Sequence, residues 1–311
     1  MTGYSPDVDV VIATRDRPQL LRDSIRAVFA SDYPGAVRAL VVYDNSAPDL
    51  DLERDESLGL RPGRSVVVLS NERTPGLAGA RNSGLLASDA ELVAFCDDDD
   101  TWLPDKLAQQ VAALDASPTC ELVCCGIEVE YADTYHRRVL RQERVTMTDL
   151  LRDRLTELHP STFVMRRKAV VEGFGLVQES IPGSYAEDYE FLLRAARSHD
   201  VLNLPIVGVR VLWSKGSYFA ARWETWYSAL TWLYDEYPEF AQVPAGEAWL
   251  MGKIAFAAAA EGNRREGARW ALRALRTRPA EPRSYIALGV ASGVLKPDWV
   301  LRQLHRTGRG L

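Results

Sequence analysis

The sequence contains few of the residues on which zinc enzymes and disulfide-stabilised proteins depend. Its 311 residues include only four histidines and four cysteines. No two histidines form a four-residue-spaced pair with a glutamate, and the cysteines lack the paired spacing of a zinc site. The sequence therefore shows no ligand set for a zinc hydrolase. We expect the cysteines, all in apolar runs, to be reduced core residues; they are Cys96, Cys120, Cys124 and Cys125.

Long apolar runs are also missing. A membrane-spanning helix needs about 18 uninterrupted apolar residues, and the nearest candidate, residues 254–260, is short and rich in alanine. The first residues lack the basic stretch and apolar core of a secretory signal. We therefore expect a cytoplasmic protein without a membrane span. A net charge of −6 argues against attraction of the whole molecule to nucleic acid.

Apolar runs of strand length alternate with amphipathic stretches of helix length through the first half of the chain. The strand-like runs are residues 8–13, 39–43, 65–69, 92–96 and 122–129, and the helix-like stretches are 18–30, 79–87 and 104–115. This alternation predicts an α/β fold with a mainly parallel sheet and helices on both faces. Ligands of such sheets bind at the carboxyl ends of the strands, so the polar residues that follow each run are candidate site residues.

The composition changes after the strand-like run at residues 207–213. From residue 221 onward, Trp, Tyr and Ala recur at helical spacing between Pro and Gly turn signals. We therefore predict two domains, an α/β domain over residues 1–222 and a helical region over residues 223–311. We expect the Trp and Tyr residues of the helical region to be mainly core residues.

The C-terminal region is basic although the chain as a whole is acidic. Residues 262–311 contain eleven Lys or Arg and three Asp or Glu, a net charge of +8 against −14 for the rest. Arg265, Arg269, Arg273 and Arg276 recur on one side of a predicted helix. Such a surface is ordinarily a solvated face. The alternatives are contact with an anionic membrane surface, an acidic partner protein or a second copy of the chain in a homodimer.

Four consecutive acids, Asp97 to Asp100, follow the strand-like run at residues 92–96. Adjacent carboxylates repel one another unless a cation or hydrogen-bond donors compensate them. Oxygen ligands of this kind suit Mg²⁺ or Mn²⁺. The alternative is an exposed acidic turn before a helix that has Pro104 at its first position. The four acids alone favour neither interpretation.

Several blocks of sequence, considered together, favour the metal site. The blocks are VVIATRDRP (10–18), VYDNS (42–46), NERTPGLAGARNSG (71–84), DDDDTWLPDKL (97–107), STFVMRR (161–167) followed by Gly173 and Phe174, and AEDYE (186–190). Their order and spacing resemble the family-two inverting glycosyltransferases of GT-A fold. The resemblance covers about residues 8–215, so residues 1–222 would form the catalytic domain.

The resemblance implies a sugar donor activated by UDP or dTDP, a Mg²⁺ or Mn²⁺ cofactor and an acceptor hydroxyl. It also implies roles for individual residues. Thr14 and Arg17 would border the nucleotide, Asp44 would contact the base, and Arg81 would meet phosphate. Asp97 and Asp98 would lie at the nucleotide and metal, and Asp99 would ligate the metal directly together with Asp97. Asp188 would be the catalytic base of a single inverting displacement. Trp213, Ser214 and Lys215 would close over the diphosphate.

Each of these roles has a structural alternative. Asp44 fits an Asx turn, Arg81 a surface ion pair, and Asp188 a helix N-terminus that favours negative charge. Glu187 has the spacing of a capping box with Ser184, which predicts a helix from residue 184.

Two other functions also stay open. They are a non-catalytic nucleotide-sugar-binding scaffold and a sugar-phosphate nucleotidyltransferase, although a glycine-rich loop after the first strand is missing for the latter. The acceptor is left as a glycan, a lipid-linked intermediate or a specialised metabolite. We expect residues 134–157, residues 179–185 and the C-terminal helices to contribute to its binding.

Overall fold

Ten strands form one mixed sheet in the computed structural model, which describes residues 5–131, 134–212 and 222–306. The strands are β1 (Val8–Thr14), β2 (Val37–Tyr43), β3 (Arg64–Ser70), β4 (Leu92–Phe95), β5 (Thr101–Trp102), β6 (Leu122–Tyr131), β7 (Thr134–Arg138), β8 (Arg144–Val145), β9 (Val164–Arg166) and β10 (Val201–Leu212). The helices are α1 (Pro18–Phe29), α2 (Leu77–Ala87), α3 (Lys106–Asp115), α4 (Met147–Arg152), α5 (Glu187–Ser198), α6 (Trp223–Glu236), α7 (Pro244–Glu261), α8 (Arg264–Thr277), α9 (Pro282–Ala291) and α10 (Pro297–Arg306).

The strand order β3-β2-β1-β4-β9-β6-β10-β5 explains where a site can form. Strands β3, β2, β1 and β4 are parallel to one another, and β6 is parallel to β10. The short β9 lies antiparallel between β4 and β6. Because β1, β2 and β4 are adjacent and parallel, the residues that follow them meet at one edge of the sheet.

Helices cover both faces of this sheet, as the sequence predicts. Val10 and Ile12 of β1 belong to the same buried cluster as Ile25 of α1 and Leu107 of α3. On the opposite face, α2 approaches so closely that a Cβ at Gly84 would lie 2.4 Å from a methyl group of Val11. The α/β class with a mainly parallel sheet is therefore confirmed. The four cysteines are buried and free, which agrees with their expected role in the core.

Some element boundaries differ from those predicted. Helix α5 begins at Glu187, not at Ser184, because Ser184 and Ala186 have left-handed backbones with φ of 54° and 66°. The capping-box interpretation is therefore wrong, since Glu187 is the first helical residue rather than the third. The strand expected over residues 160–166 is limited to β9, and its first part is a 3₁₀ turn that starts at Pro160.

The chain divides into two units. The first holds the described residues of Met1–Thr146, Leu155–Glu179 and Glu187–Ser214, and it contains the sheet with α1, α2, α3 and α5. The second holds those of Met147–Arg154, Ser180–Ala186 and Lys215–Leu311. Phe256, Ala271, Ala287 and Val300 belong to its core and come from α7, α8, α9 and α10. The predicted domain boundary after residue 222 stays a prediction.

Two further expectations from the sequence concern the residues that would close over the diphosphate and the membrane-spanning helix. Trp213, Ser214 and Lys215 lie outside the described residues. Among the helices that are described, none combines the length and the apolar character that a membrane crossing requires.

Candidate active site

The four acids form a tight turn after β4 that is held from the side of α1. The backbone N–H of Asp100 donates to the carbonyl of Asp97 at 3.2 Å. The hydroxyl of Ser24 donates to both the Asp97 carbonyl (3.1 Å) and the Asp100 carbonyl (2.5 Å). These bonds fix the backbone of the turn, so the four carboxyl groups occupy defined and different environments.

Asp98 and Asp99 contact the residues that the sequence assigns to the nucleotide. Thr14 Oγ1 donates to Asp98 Oδ2 at 2.7 Å, and Arg17 Nη1 donates to Asp98 Oδ1 (3.2 Å) and Asp99 Oδ2 (2.9 Å). Burial raises the pKa of Asp98 although these bonds act to lower it. Burial, together with the charges of Asp97 and Asp98, raises the pKa of Asp99 to about 6. The structure therefore brings Thr14 and Arg17 to the acidic turn.

Arg81 links the acidic turn to helix α5. Its side chain is 2% exposed, and it donates to Asp97 Oδ1 and to Glu187 Oε1, each at 2.7 Å. The guanidinium carbon lies 5.1 Å from the centre of the Phe95 ring. Burial acts to raise the pKa of Asp97, but the charges of Arg81, His159 and Arg17 and the hydrogen bond from Arg81 together outweigh it and lower that pKa. Arg81 is thus a buried partner of two carboxylates, and its contact with phosphate stays a prediction.

His159 completes a cluster that the sequence analysis missed. Its Nδ1 lies 3.3 Å from Asp100 Oδ2, and its Nε2 lies 4.0 Å from Asp97 Oδ2. One ligand atom from each of these three residues lies within 4.8 Å of the others. Ser161 supports the cluster because its hydroxyl donates to Asp100 and accepts from the Asp97 N–H at 2.9 Å.

Two carboxylates and an imidazole form a reasonable donor set for a divalent cation. Burial, reinforced by the charge of Asp97, raises the pKa of Asp100 well above its ordinary value. A bound cation would favour the ionised carboxylate that it needs as a ligand. Asp99 is not among these three residues, so its predicted role as a direct ligand stays a prediction. No local spacing signals His159, which the turn before β9 brings to the acids.

Asp44 is placed at the end of β2 and is 8% exposed. Its Oδ1 accepts from Asn71 Nδ2 at 2.8 Å and from the N–H of Gly76 at 3.0 Å. The partners of this carboxylate therefore belong to the loop between β3 and α2. The next residue, Asn45, has a left-handed backbone with φ of 48°, which turns the chain away from the strand end.

Asp188 is the second residue of α5 and is 8% exposed. Burial acts to lower the pKa of Arg81, but the charges of Asp97, Glu187 and Asp188 raise it, which places Asp188 within electrostatic reach of Arg81. The first turn of a helix stabilises negative charge. The structure thus gathers Asp97, Arg81, Glu187 and Asp188 in one network, whereas sequence reasoning treated Arg81 and Glu187 separately.

Comparison with known proteins agrees with this geometry. The model of Glycosyl transferase family 2 matches residues 9–174. The chain is 30% identical over 205 residues to the amylovoran biosynthesis glycosyltransferase AmsE of Erwinia amylovora, and the match covers 65% of this chain and 74% of that protein. It is also 30% identical over 107 residues to the UDP-Glc:alpha-D-GlcNAc-diphosphoundecaprenol beta-1,3-glucosyltransferase WfgD of Escherichia coli, covering 34% of this chain and 40% of that protein.

Solved structures share the fold at low sequence identity. Residues 1–349 of S. aureus TarS superpose with a TM-score of 0.64 at 16% identity, covering 97% of this chain and 92% of that one. The mannosyltransferase PcManGT from Pyrobaculum calidifontis, in complex with GDP-Man and Mn²⁺, superposes with a TM-score of 0.58 at 19% identity, covering 96% of this chain and 83% of that one. The sheet and these solved structures agree on a GT-A-like fold. The chain belongs to glycosyl transferase family 2 and is a glycosyltransferase.

Proposed function

We propose that this chain moves a sugar from a nucleoside-diphosphate sugar to an acceptor hydroxyl, with inversion and with the help of Mg²⁺ or Mn²⁺. The observation that carries the proposal is the buried link from Asp97 through Arg81 to Glu187, beside Asp188. It joins a carboxylate cluster suited to a cation with a carboxylate suited to a base. Structures of similar fold that contain UDP-GlcNAc and GDP-Man support a nucleotide-linked donor.

In this proposal the residues divide into a donor side and an acceptor side. Asp44 accepts a hydrogen bond from the nucleotide base, and Thr14, Arg17 and Asp98 lie along the nucleotide. Asp188 takes the proton of the acceptor hydroxyl as that oxygen attacks the anomeric carbon. The bond from that carbon to the diphosphate oxygen breaks, and the diphosphate leaves with the electron pair. One displacement from the opposite face inverts the configuration.

Asp97, Asp100 and His159 would hold the divalent cation, since their ligand atoms already lie close together. When bound, a divalent cation stabilises the negative charge that develops on a departing diphosphate. An imidazole ligand suits Mn²⁺ better than Mg²⁺, which prefers oxygen ligands. Arg81 and Ser161 orient Asp97 and Asp100, and Asp99, which contacts Arg17, would be a further ligand.

The acceptor and the cellular setting are also proposals. The names of AmsE and WfgD refer to amylovoran biosynthesis and to a diphosphoundecaprenol-linked sugar. The curated relatives other than AmsE are matched over less than half of their own length. We therefore propose a saccharide hydroxyl, free or lipid-linked, as the acceptor, and a cytoplasmic enzyme that makes at most peripheral membrane contact.

A donor screen followed by one substitution tests this function. UDP-, dTDP- and GDP-sugars are screened with Mn²⁺ for thermal stabilisation, and release of nucleoside diphosphate is then measured. Asp188→Asn should lower kcat by about 10²- to 10⁴-fold, the usual contribution of a general base, and leave donor KM nearly unchanged. Asp115→Asn, at an exposed position in the last turn of α3, is the matched control.

The outcomes separate the alternatives. A binding scaffold would be stabilised by the donor and release no diphosphate in the wild-type protein. A nucleotidyltransferase would consume a sugar phosphate and a nucleoside triphosphate. Full activity of Asp188→Asn would refute the assignment of the base.

A further inference from the structure

The loop over residues 71–76, here called the base loop, supplies both hydrogen-bond partners of the Asp44 carboxylate. These partners are the Asn71 amide and the Gly76 N–H. The side chains between them, at residues 72–75, are all exposed. Apolar packing therefore contributes little to the conformation of the base loop, and polar contacts must hold it in place.

Asn71 makes such contacts within the loop and with Ser83 of α2, and Glu179 adds further ones from a distant part of the chain. Its Oε1 accepts from Arg73 Nε at 2.5 Å and from Asn82 Nδ2 at 2.6 Å, and its Oε2 accepts from the N–H of Thr74 at 3.3 Å. Thr74 and Glu179 are 105 positions apart in sequence. One carboxylate thus joins two residues of the base loop to helix α2.

The segment that carries Glu179 is itself anchored. Asn82 donates to the carbonyl of Val177 at 2.8 Å and accepts from its N–H at 2.9 Å. This two-bond exchange ties the backbone two residues before Glu179 to α2. The carboxylate therefore acts from a fixed position, as a latch on the base loop.

Charge makes the latch stronger than a neutral contact. Burial acts to raise the pKa of Glu179, but hydrogen bonds from Thr74, Asn82 and Arg73 outweigh it and hold the pKa at about 2. The group is therefore a carboxylate at any pH at which a transferase is assayed. Hydrogen bonds to ionised groups are roughly twice as strong as neutral ones.

We propose that Glu179 is a positioning residue for the donor nucleotide: it holds the base loop in the conformation that orients Asp44 toward the base. The inference rests on the proposed function, because it takes Asp44 as the base contact. Glu179 then sets the affinity for the nucleoside part of the donor and leaves the chemical step unaffected.

Glu179→Gln tests the inference because it keeps the size of the side chain and removes its charge. The dissociation constants of UDP, dTDP and GDP with Mn²⁺ are measured by calorimetry, and the tightest ligand is carried forward. We expect this constant to rise by about 10- to 100-fold, the loss typical of a charge-assisted hydrogen bond. Donor KM should rise in parallel while kcat stays within about twofold.

Two controls separate positioning from general damage. Inorganic diphosphate with Mn²⁺ makes no base contact, so its affinity should not change in Glu179→Gln. Glu172→Gln removes an exposed carboxylate that lies 4.0 Å from Lys168, and it should bind all ligands like the wild type. If Glu179→Gln does not fold, Arg73→Ala removes a donor from the other side of the latch and should weaken the same ligand selectively.

The results distinguish this inference from the proposed function. If the wild-type protein binds no nucleoside diphosphate, the proposed function fails. If the wild type binds and Glu179→Gln binds equally well, the positioning role is refuted. Equal weakening of the nucleoside diphosphate and inorganic diphosphate also refutes it, since it would show a general structural effect.

Discussion

Arg81 is a buried arginine that compensates the charges of two carboxylates. It is 2% exposed and lies 2.7 Å from carboxylate oxygens of both Asp97 and Glu187. Removing one member of a buried ion pair leaves the others without compensation, which typically costs about 3–5 kcal/mol. We expect Arg81→Met to lower the free energy of unfolding by about that amount, as measured by urea denaturation. Arg26→Met, at an exposed pair with Asp23, should change it by less than about 1 kcal/mol.

The pKa of Asp99 predicts a stability that depends on pH in a definite direction. Burial and the charges of Asp97 and Asp98 raise this pKa from the ordinary 3.8 to about 6. The folded state therefore binds the proton more tightly, and the ionised carboxylate costs stability above pH 6 but not below about pH 4. In chelator-treated protein, Asp99→Asn should raise the free energy of unfolding at pH 7.5 by roughly 2–3 kcal/mol.

The difference between Asp99→Asn and the wild type should shrink as the pH falls from 6 to 4. Thermal unfolding at several pH values checks this. A variant that is less stable than the wild type at pH 7.5 would contradict it, and would show that the contact with Arg17 outweighs the crowding of the acids.

Individual site residues could be predicted from the sequence where an acidic side chain comes just after a strand-like apolar run. Asp44 directly follows β2 and Asp97 comes two residues after the end of β4, so both could be predicted from the alternating pattern and the family resemblance. His159 could not be predicted in this way. It approaches Asp100 only because the turn before β9 is placed by the pairing of β9 with β4, and these two strands are far apart in sequence. The pairing of Arg81 with Glu187 was missed for the same reason.

At the scale of elements, the start of α2 is fixed by close backbone contact. A Cβ at Gly79 would lie 1.9 Å from the carbonyl oxygen of Thr74, so only glycine fits there without moving the backbone. Gly79→Ala should displace the base loop, lower stability by about 1–3 kcal/mol, and weaken nucleotide binding.

Leu86→Ala on the same helix is a suitable comparison for Gly79→Ala, because Leu86 is 44% exposed. It should leave nucleotide affinity unchanged when both variants are measured by calorimetry. Nucleotide affinity equal to that of the wild type in Gly79→Ala would show that the base loop tolerates the displacement.

Element type was predictable where hydrophobic periodicity is strong, as in β1, β2 and α1. The residues at which elements begin and end were harder to predict. The left-handed backbones of Ser184 and Ala186 delay the start of α5, and serine and alanine, unlike glycine or asparagine, give no sequence signal for that conformation. The antiparallel β9 is three residues long, which is too short for an alternating pattern to reveal.

At the scale of the whole molecule, the uneven charge remains to be assigned a role. Residues 262–311 carry +8 and the rest of the chain carries −14. Among the described residues of α8, Arg269 pairs with Glu266, and Arg273 lies over the rings of Tyr234 and Trp270. Arg265 and Arg276 are exposed, and neither has an ion-pair partner among the described residues. Both are therefore available to a second molecule.

Association of the basic region of one copy with the acidic region of another would produce a dimer that is sensitive to salt. The Debye length falls from about 10 Å at 0.1 M to about 3 Å at 1 M ionic strength, so high salt screens such contacts. We expect light scattering to give a dimeric mass at 50 mM NaCl and a monomeric mass at 1 M. The double variant Arg265→Glu, Arg276→Glu should be monomeric at both, whereas Arg54→Glu should behave like the wild type. A monomeric wild-type mass at 50 mM NaCl would leave the basic helices as a solvated face or a surface for another anionic partner.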